Sequence, residues 1–228
     1  MLYQQQKEFY KCKIRLFITL KNKKGLNSPS GDSGMIAIIK YNAGNVQSVQ
    51  YALQRIGVES VVTDDETIIS EADKVIFPGV GHAQSAMQYL RKKELDKLII
   101  SLQQPVLGIC LGLQLMCQHS EEGDTKCLGI FDTTVKLFSS TKLKVPQIGW
   151  NNIYDYKSVL FDGLEDQAFV YTVHSYYAAL SEDSTAASDY IIPFSAALQK
   201  NNFYAVQFHP EKSGVVGETI LKNFIQIT

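Results

Sequence analysis

From Met35 onward, short apolar runs alternate with stretches whose apolar residues recur at helical spacing. βαβ units produce this rhythm when helices cover both faces of a mostly parallel sheet. "MIAII" (35–39), "VESVV" (58–62), "KVIF" (74–77) and "VLGI" (106–109) read as buried strands. Val46, Val49, Leu53 and Ile56 line one stripe of a first helix that Gly57 terminates. A glycine-rich loop, "PGVGHAQ" (78–84), leads into helical sequence that runs in two pieces to about Gln103, and "LGLQLMCQ" (111–118) forms another helix. The second half is richer in strand-type sequence: "FDTTVKLF" (131–138), "AFVYTV" (168–173), "AALQ" (196–199) and "FYAVQF" (203–208). Val216, Ile220 and Phe224, four residues apart, mark a closing helix. The pattern predicts a single α/β domain over 35–228, with a central, mostly parallel sheet and helices on both faces, the flavodoxin-like arrangement.

Composition narrows the class. The chain has 228 residues, 45% of them hydrophobic, and a formal net charge of −1. That balance offers no basic field for a phosphate backbone and no polybasic signal for an anionic membrane, so neither nucleic acid nor membrane is expected as a partner. Four cysteines with no Cys-x-x-Cys pair fit a reducing cytoplasm and imply neither a disulfide framework nor a metal site. The charge is uneven, however. Residues 1–34 carry net +5, leaving −6 for the rest, and end in the linker-like "NSPSGDSG". The apolar stretch Ile14–Leu20 is interrupted by Arg15 and is too short to span a bilayer. Residues 1–34 are accordingly expected to be a basic, dispensable extension of the folded domain.

The candidate chemistry lies at strand ends. Gly108-Ile109-Cys110-Leu111-Gly112 sets a cysteine between a strand and a helix with a glycine two residues away on either side, the pattern of a nucleophile elbow. A sulfur at a helix N-terminus meets the positive end of the helix dipole and unpaired N–H groups, which favour its thiolate. Attack on a carbonyl needs a proton shuttle, and of the four histidines His209 in "VQFHPEKS" stands out. It ends a strand, and Glu211 two residues later can reach the imidazole and fix its tautomer. The loop Pro78-Gly79-Val80-Gly81 can supply backbone N–H groups above the same strand ends. The N–H of Leu111 would be one oxyanion donor and that of Val80 or Gly81 the other.

Taken in order, "PGVGH", "GICLGLQ", "PQIGWN", "YTVHSY" and "AVQFHPEKSG" cover about residues 35–228. This combination resembles the class I (triad) glutamine amidotransferases, and within them most closely the glutaminase subunits of imidazole glycerol phosphate synthase. The cysteine elbow and the His-Pro-Glu segment are common to the class. "PGVGH", "PQIGWN" and Lys212 directly after Glu211 carry the finer likeness. The opening segment departs from it: the family usually reads Asp-Tyr-Gly before its Gly-Asn, where this chain has Lys40-Tyr41-Asn42-Ala43-Gly44-Asn45.

The resemblance implies that Cys110 attacks the carboxamide of L-glutamine, that His209 shuttles the proton and that Glu211 orients His209. It implies glutamine recognition by Gln114, Glu122, His174, Ser175 and Tyr176. It further implies transfer of the released ammonia to a (β/α)₈ cyclase subunit in a heterodimer, with Trp150, Asn151 and Lys212 as docking candidates and no cofactor. Competing assignments are the glutaminase of another amidotransferase, of the anthranilate or aminodeoxychorismate synthase type, and a stand-alone γ-glutamyl cysteine hydrolase.

Overall fold

The computed structural model describes residues 34–41 and 44–228. The expected basic extension, apart from Gly34, and the departing Asn42 lie outside the described residues. The strands predicted first form where the apolar runs stand: β1 (Ile36–Ile39), β2 (Ser60–Thr63), β3 (Lys74–Phe77) and β4 (Val106–Ile109). β1 and β4 are buried at every position, as strands covered on both faces must be. Short and mostly two-residue strands follow, β5 (His119–Ser120) and β6 (Thr125–Lys126), then β7 (Thr134–Leu137). β8 (Gln147–Asn152), β9 (Phe169–His174), β10 (Tyr176–Ala178), β11 (Ser184–Tyr190), β12 (Ile192–Lys200) and β13 (Phe203–Val206) complete the set.

β2, β1, β3, β4 and β13 lie side by side in that order, all parallel, the doubly wound arrangement that the alternating pattern predicted. The sheet continues from β13 through β12, β10, β7, β5 and β6 as a largely antiparallel extension, with β11 paired on β12. β8 and β9 stand apart as a two-stranded antiparallel ribbon.

Six helices join these strands among the described residues: α1 (Val46–Arg55), α2 (Glu66–Glu71), α3 (Ala83–Lys92), α4 (Leu95–Ser101), α5 (Leu111–Met116) and α6 (Gly214–Gln226). The predicted break in the helical sequence that runs to about Gln103 falls at Glu94, whose φ of 57° lies in the left-handed region and separates α3 from α4. Alternation along β1 sends Ile36 and Ile38 to one face and Ala37 and Ile39 to the other. The first face packs against α1 and α6 through Val49, Leu53, Ile220 and Phe224, and the second against α3 and α5 through Met87, Leu90, Leu113 and Met116. Burying side chains of this size stabilises the fold by roughly 1.5–3 kcal/mol each, so the two apolar layers fix the sheet between the helices. The loops that follow β1, β3, β4 and β13 consequently open at the same, carboxyl edge of the sheet, where ligands bind in open α/β folds.

Candidate active site

Cys110 is the residue between β4 and α5, with φ 53° and ψ −105°, a conformation that side chains other than glycine rarely adopt. The flanking glycines make the turn possible. A Cβ on Gly112 would lie 1.9 Å from the Phe77 carbonyl oxygen, and one on Gly108 would lie 3.0 Å from both the Gly112 backbone and the Met116 sulfur. α5 thus sits directly against the end of β3, and the thiol is held at a helix start as the Gly-x-Cys-x-Gly spacing predicted. Its Sγ faces the Val173 carbonyl at 3.9 Å and the Gln207 amide at 3.7 Å. Cys117 and Cys127 have no comparable setting: burial, first among the causes, holds the Cys117 thiol well above its usual range and pushes Cys127 up to about 12.

His209 follows β13, the strand beside β4, and both it and Glu211 are buried. Their side chains meet at 2.8 Å between Nδ1 and Oε1. The expected contact is present, but the route differs: the segment turns into a 3₁₀ helix at Pro210–Lys212 instead of staying extended. A carboxylate accepts only, so Nδ1 carries the proton and donates to Glu211. Asn45, at a left-handed φ of 74° before α1, donates from Nδ2 to the same Glu211 oxygen. It lies 3.3 Å from His209 Nδ1, which as a second donor cannot bond with it. Nε2 is thereby left for the thiol; it is buried and makes no hydrogen bond in the structure. Burial lowers the His209 pKa, but its interactions with Cys110 and with Glu211 outweigh that and raise the value to about 10.

The oxyanion loop has a definite arrangement. Leu111 N–H donates to the Gly79 carbonyl at 3.2 Å, and the Val80 carbonyl accepts from Gly44 at 3.3 Å. In a planar trans peptide the N–H of Val80 points opposite to the Gly79 carbonyl and so away from Leu111. Gly79 has no room for a side chain, since a Cβ there would fall 2.0 Å from the Tyr41 hydroxyl. Of the two expected donors, Leu111 is therefore engaged and Val80 faces elsewhere. Gly81, at φ 138°, is exposed.

A sulfur nucleophile at an elbow, a buried histidine oriented by a carboxylate and a glycine-rich loop beside them form a constellation suited to acyl transfer. Residues 37–227 match the model of the family described as glutamine amidotransferase class-I. The chain belongs to this family. Among its relatives, the imidazole glycerol phosphate synthase subunit HisH of Bacteroides fragilis strain YCH46 is 59% identical over 194 residues, covering 84% of this chain and 99% of that protein. The subunit of the same name from Haemophilus influenzae strain Rd is 45% identical, covering 84% and 96%. Two solved structures share the fold. A glutamine amidotransferase from Thermotoga maritima has a TM-score of 0.61 at 14% identity over 85% of this chain and 98% of its own, and PurLQS from the same organism has 0.64 at 15% over 83% and 96%.

In this glutamine amidotransferase the remaining predicted residues divide into two groups. Gln114, His174 and Tyr176 meet at one oxygen: Gln114 Nε2 donates to the Tyr176 carbonyl at 3.0 Å, and His174 Nδ1 donates to the same oxygen at 2.8 Å. Ser175 contributes its carbonyl to Phe138 N–H at 3.0 Å. Glu122 instead caps α3, its Oε2 accepting from Ala83 N–H at 2.6 Å. Trp150 is 57% exposed, packs edge-on against Tyr171 at 6.0 Å, and has the Lys212 ammonium 5.9 Å from the Tyr171 ring on the other strand. Asn151 points the other way and binds Ser188 and the Asp189 carbonyl at 3.0 Å each. The sequence analysis did not single out Asn45, Gln207 or Ser213. For Gln207 a signal was available, since it directly follows the apolar run that becomes β13 and stands two residues before His209. Among the described residues no cluster of His, Cys, Asp or Glu could hold a metal ion, and no helix is long and apolar enough to cross a membrane.

Proposed function

We propose that this chain is the glutaminase subunit of an imidazole glycerol phosphate synthase, working in the cytoplasm and releasing ammonia from L-glutamine for a cyclase subunit. The buried His209–Glu211 pair beside Cys110 carries this reading. Cys110 gives its proton to Nε2 of His209 and attacks the side-chain carboxamide. The imidazolium then protonates the departing ammonia, leaving a γ-glutamyl thioester. Water deprotonated by His209 hydrolyses the thioester to glutamate and restores the thiol. Glu211, itself held by Asn45, keeps Nδ1 protonated and steadies the cation throughout.

Both tetrahedral intermediates place negative charge near the Leu111 N–H, which the Gly79 carbonyl occupies. Rotation of the Gly79–Val80 peptide would withdraw that oxygen and bring the Val80 N–H toward the same point, giving the two donors of an oxyanion hole. Hydrolysis is consequently slow in the isolated subunit and accelerates when a liganded partner drives this turn. Free ammonia in neutral water is mostly protonated, so a docked acceptor enzyme with a water-excluding passage is needed to use it.

The β8–β9 ribbon supplies the docking face. Antiparallel register places Ile148 opposite Val173, Trp150 opposite Tyr171 and Asn152 opposite Phe169 on one side. Ile148, Trp150 and Phe169 are all more than half exposed, an apolar strip with Lys212 at its margin. An aromatic anchor with a neighbouring cation suits an obligate partner better than bulk water. The test is glutamate release from L-glutamine by wild type and Cys110→Ala, each alone and with the cyclase subunit and its nucleotide ligand. Activity that rises with the liganded partner and vanishes in the variant supports the assignment. Cys110-dependent hydrolysis indifferent to the cyclase would place the chain with another amidotransferase.

A further inference from the structure

A chain of hydrogen bonds runs from the Tyr176 carbonyl to the nucleophile. Gln114 Nε2 donates to Tyr176 O at 3.0 Å and to Gln207 Oε1 at 3.1 Å, and Gln207 Nε2 lies 3.7 Å from Cys110 Sγ. The direction of every bond follows from its first member. A backbone carbonyl only accepts, so Gln114 must present its NH₂ to Tyr176. The same NH₂ reaches Gln207, which must answer with its oxygen, and this leaves the Gln207 NH₂ facing the sulfur. Gln207 is fully buried at the end of β13 and cannot turn over without breaking the bond to Gln114. Its place beside the nucleophile comes from the sheet: Val206 pairs with Ile109, so the next residue on each strand is Gln207 and Cys110.

We propose that Gln207 is a further catalytic residue, a preoriented N–H donor to the Cys110 sulfur that holds the thiolate formed when the thiol proton passes to His209. The inference deepens the glutaminase reading and rests on it for the identity of the nucleophile. In that proton transfer the S–H bond breaks, its electron pair stays on sulfur, and Nε2 of His209 gains the proton. His209 then stands as a cation on one side of the sulfur and the Gln207 dipole on another. A donor fixed in a buried site needs no reorganisation as the charge appears, and it also aims the sulfur by restricting χ1. The neighbouring Val173 carbonyl, 3.9 Å from Sγ, accepts from the thiol and repels the thiolate, so Gln207 offsets a contact that opposes ionisation.

The experiment follows alkylation of Cys110 by iodoacetamide against pH in the full chain, read from the mass of the Cys110 peptide. It needs no glutamine, ammonia or partner. Failure here is therefore separate from failure of the glutaminase reading, which glutamate release by wild type and Cys110→Ala decides. Gln207→Met keeps length and volume but has no donor, and its alkylation midpoint should rise by about one pH unit, the loss of one hydrogen bond to a charged group. Gln207→Glu keeps an acceptor for Gln114 but turns a carboxylate toward the sulfur, and its midpoint should rise further. A folded Met variant with the wild-type midpoint overturns the proposal. Should neither variant fold, the wild-type side-chain amide resonance of Gln207 decides. It must shift with the midpoint of Cys110 alkylation and lose that shift in Cys110→Ser, and an amide indifferent to both refutes the donor role.

Discussion

His174 is buried, and its Nε2 has no hydrogen-bond partner in the structure. Burial lowers its pKa from 6.5 to about 4; the Tyr176 carbonyl at Nδ1 resists that shift, and the nearby charge of His209 adds to it. The unfolded chain therefore takes up a proton near pH 6.5 that the folded chain refuses until about pH 4. Stability associated with the neutral ring is complete above the unfolded value and falls by about 1.4 kcal/mol per pH unit as the medium is acidified, reaching about 3 kcal/mol by the folded pKa. His209 adds little slope well below pH 6.5, and what it adds near pH 6.5–7 is the same in wild type and in a His174 variant and cancels in their difference. Its folded pKa is raised to about 10, so both states hold the proton well below 6.5, and its contribution is lost as pH rises from about 6.5 through about 10. The perturbation is His174→Gln, which keeps a donor for the Tyr176 carbonyl and removes the titration. Urea unfolding of both proteins between about pH 7 and about pH 4.5 gives the difference directly. Wild type should lose stability more steeply than the variant by about 1.4 kcal/mol per pH unit below about pH 6.5. Parallel curves would refute the assignment of a neutral, buried His174.

Two other substitutions probe different links. Gly112→Ala forces a methyl group to 1.9 Å from the Phe77 carbonyl oxygen, backbone that cannot step aside. The variant should lose at least about 1–3 kcal/mol of stability, measured by thermal unfolding, together with the reactivity of the displaced thiol. Trp150→Ala removes an exposed side chain, so stability should change by no more than about 0.5 kcal/mol. Its affinity for the cyclase subunit should fall about 30-fold or more by isothermal titration, the loss of one interface anchor.

The inner strands of the parallel half were legible because β1, β3 and β4 are buried along nearly their whole length and are written as apolar runs, "IAII" and "VLGI" among them. α2 was not, for only Ile69 is buried in its six residues. Its local mark is Asp65, whose carboxylate caps Thr67 and Ile68. β11, "STAASDY", is mostly small and polar, with Thr185 and Tyr190 its only branched or aromatic residues, and takes its shape from β12. In the site, Cys110 and the His209–Glu211 pair were readable because each lies within a few residues of the feature that activates it. Asn45 reaches Glu211 across 166 positions, and no local pattern encodes that contact. Glu122 likewise meets its partner, the first turn of α3, across 39 positions, a contact that no local pattern announces.

The ribbon that carries Trp150 is also sewn to the catalytic loop. Tyr171 accepts from His209 N–H at 2.9 Å and donates to Ser213 Oγ at 2.9 Å, while Ser213 Oγ donates back to the His209 carbonyl at 2.7 Å. Val173, two residues further along β9, faces the thiol. A graft of this docking strip onto another glutaminase must therefore bring β9 and residues 209–213 as one cassette. Exchanging the exposed side chains alone would leave behind the hydrogen bonds that tie this ribbon to the backbone of His209.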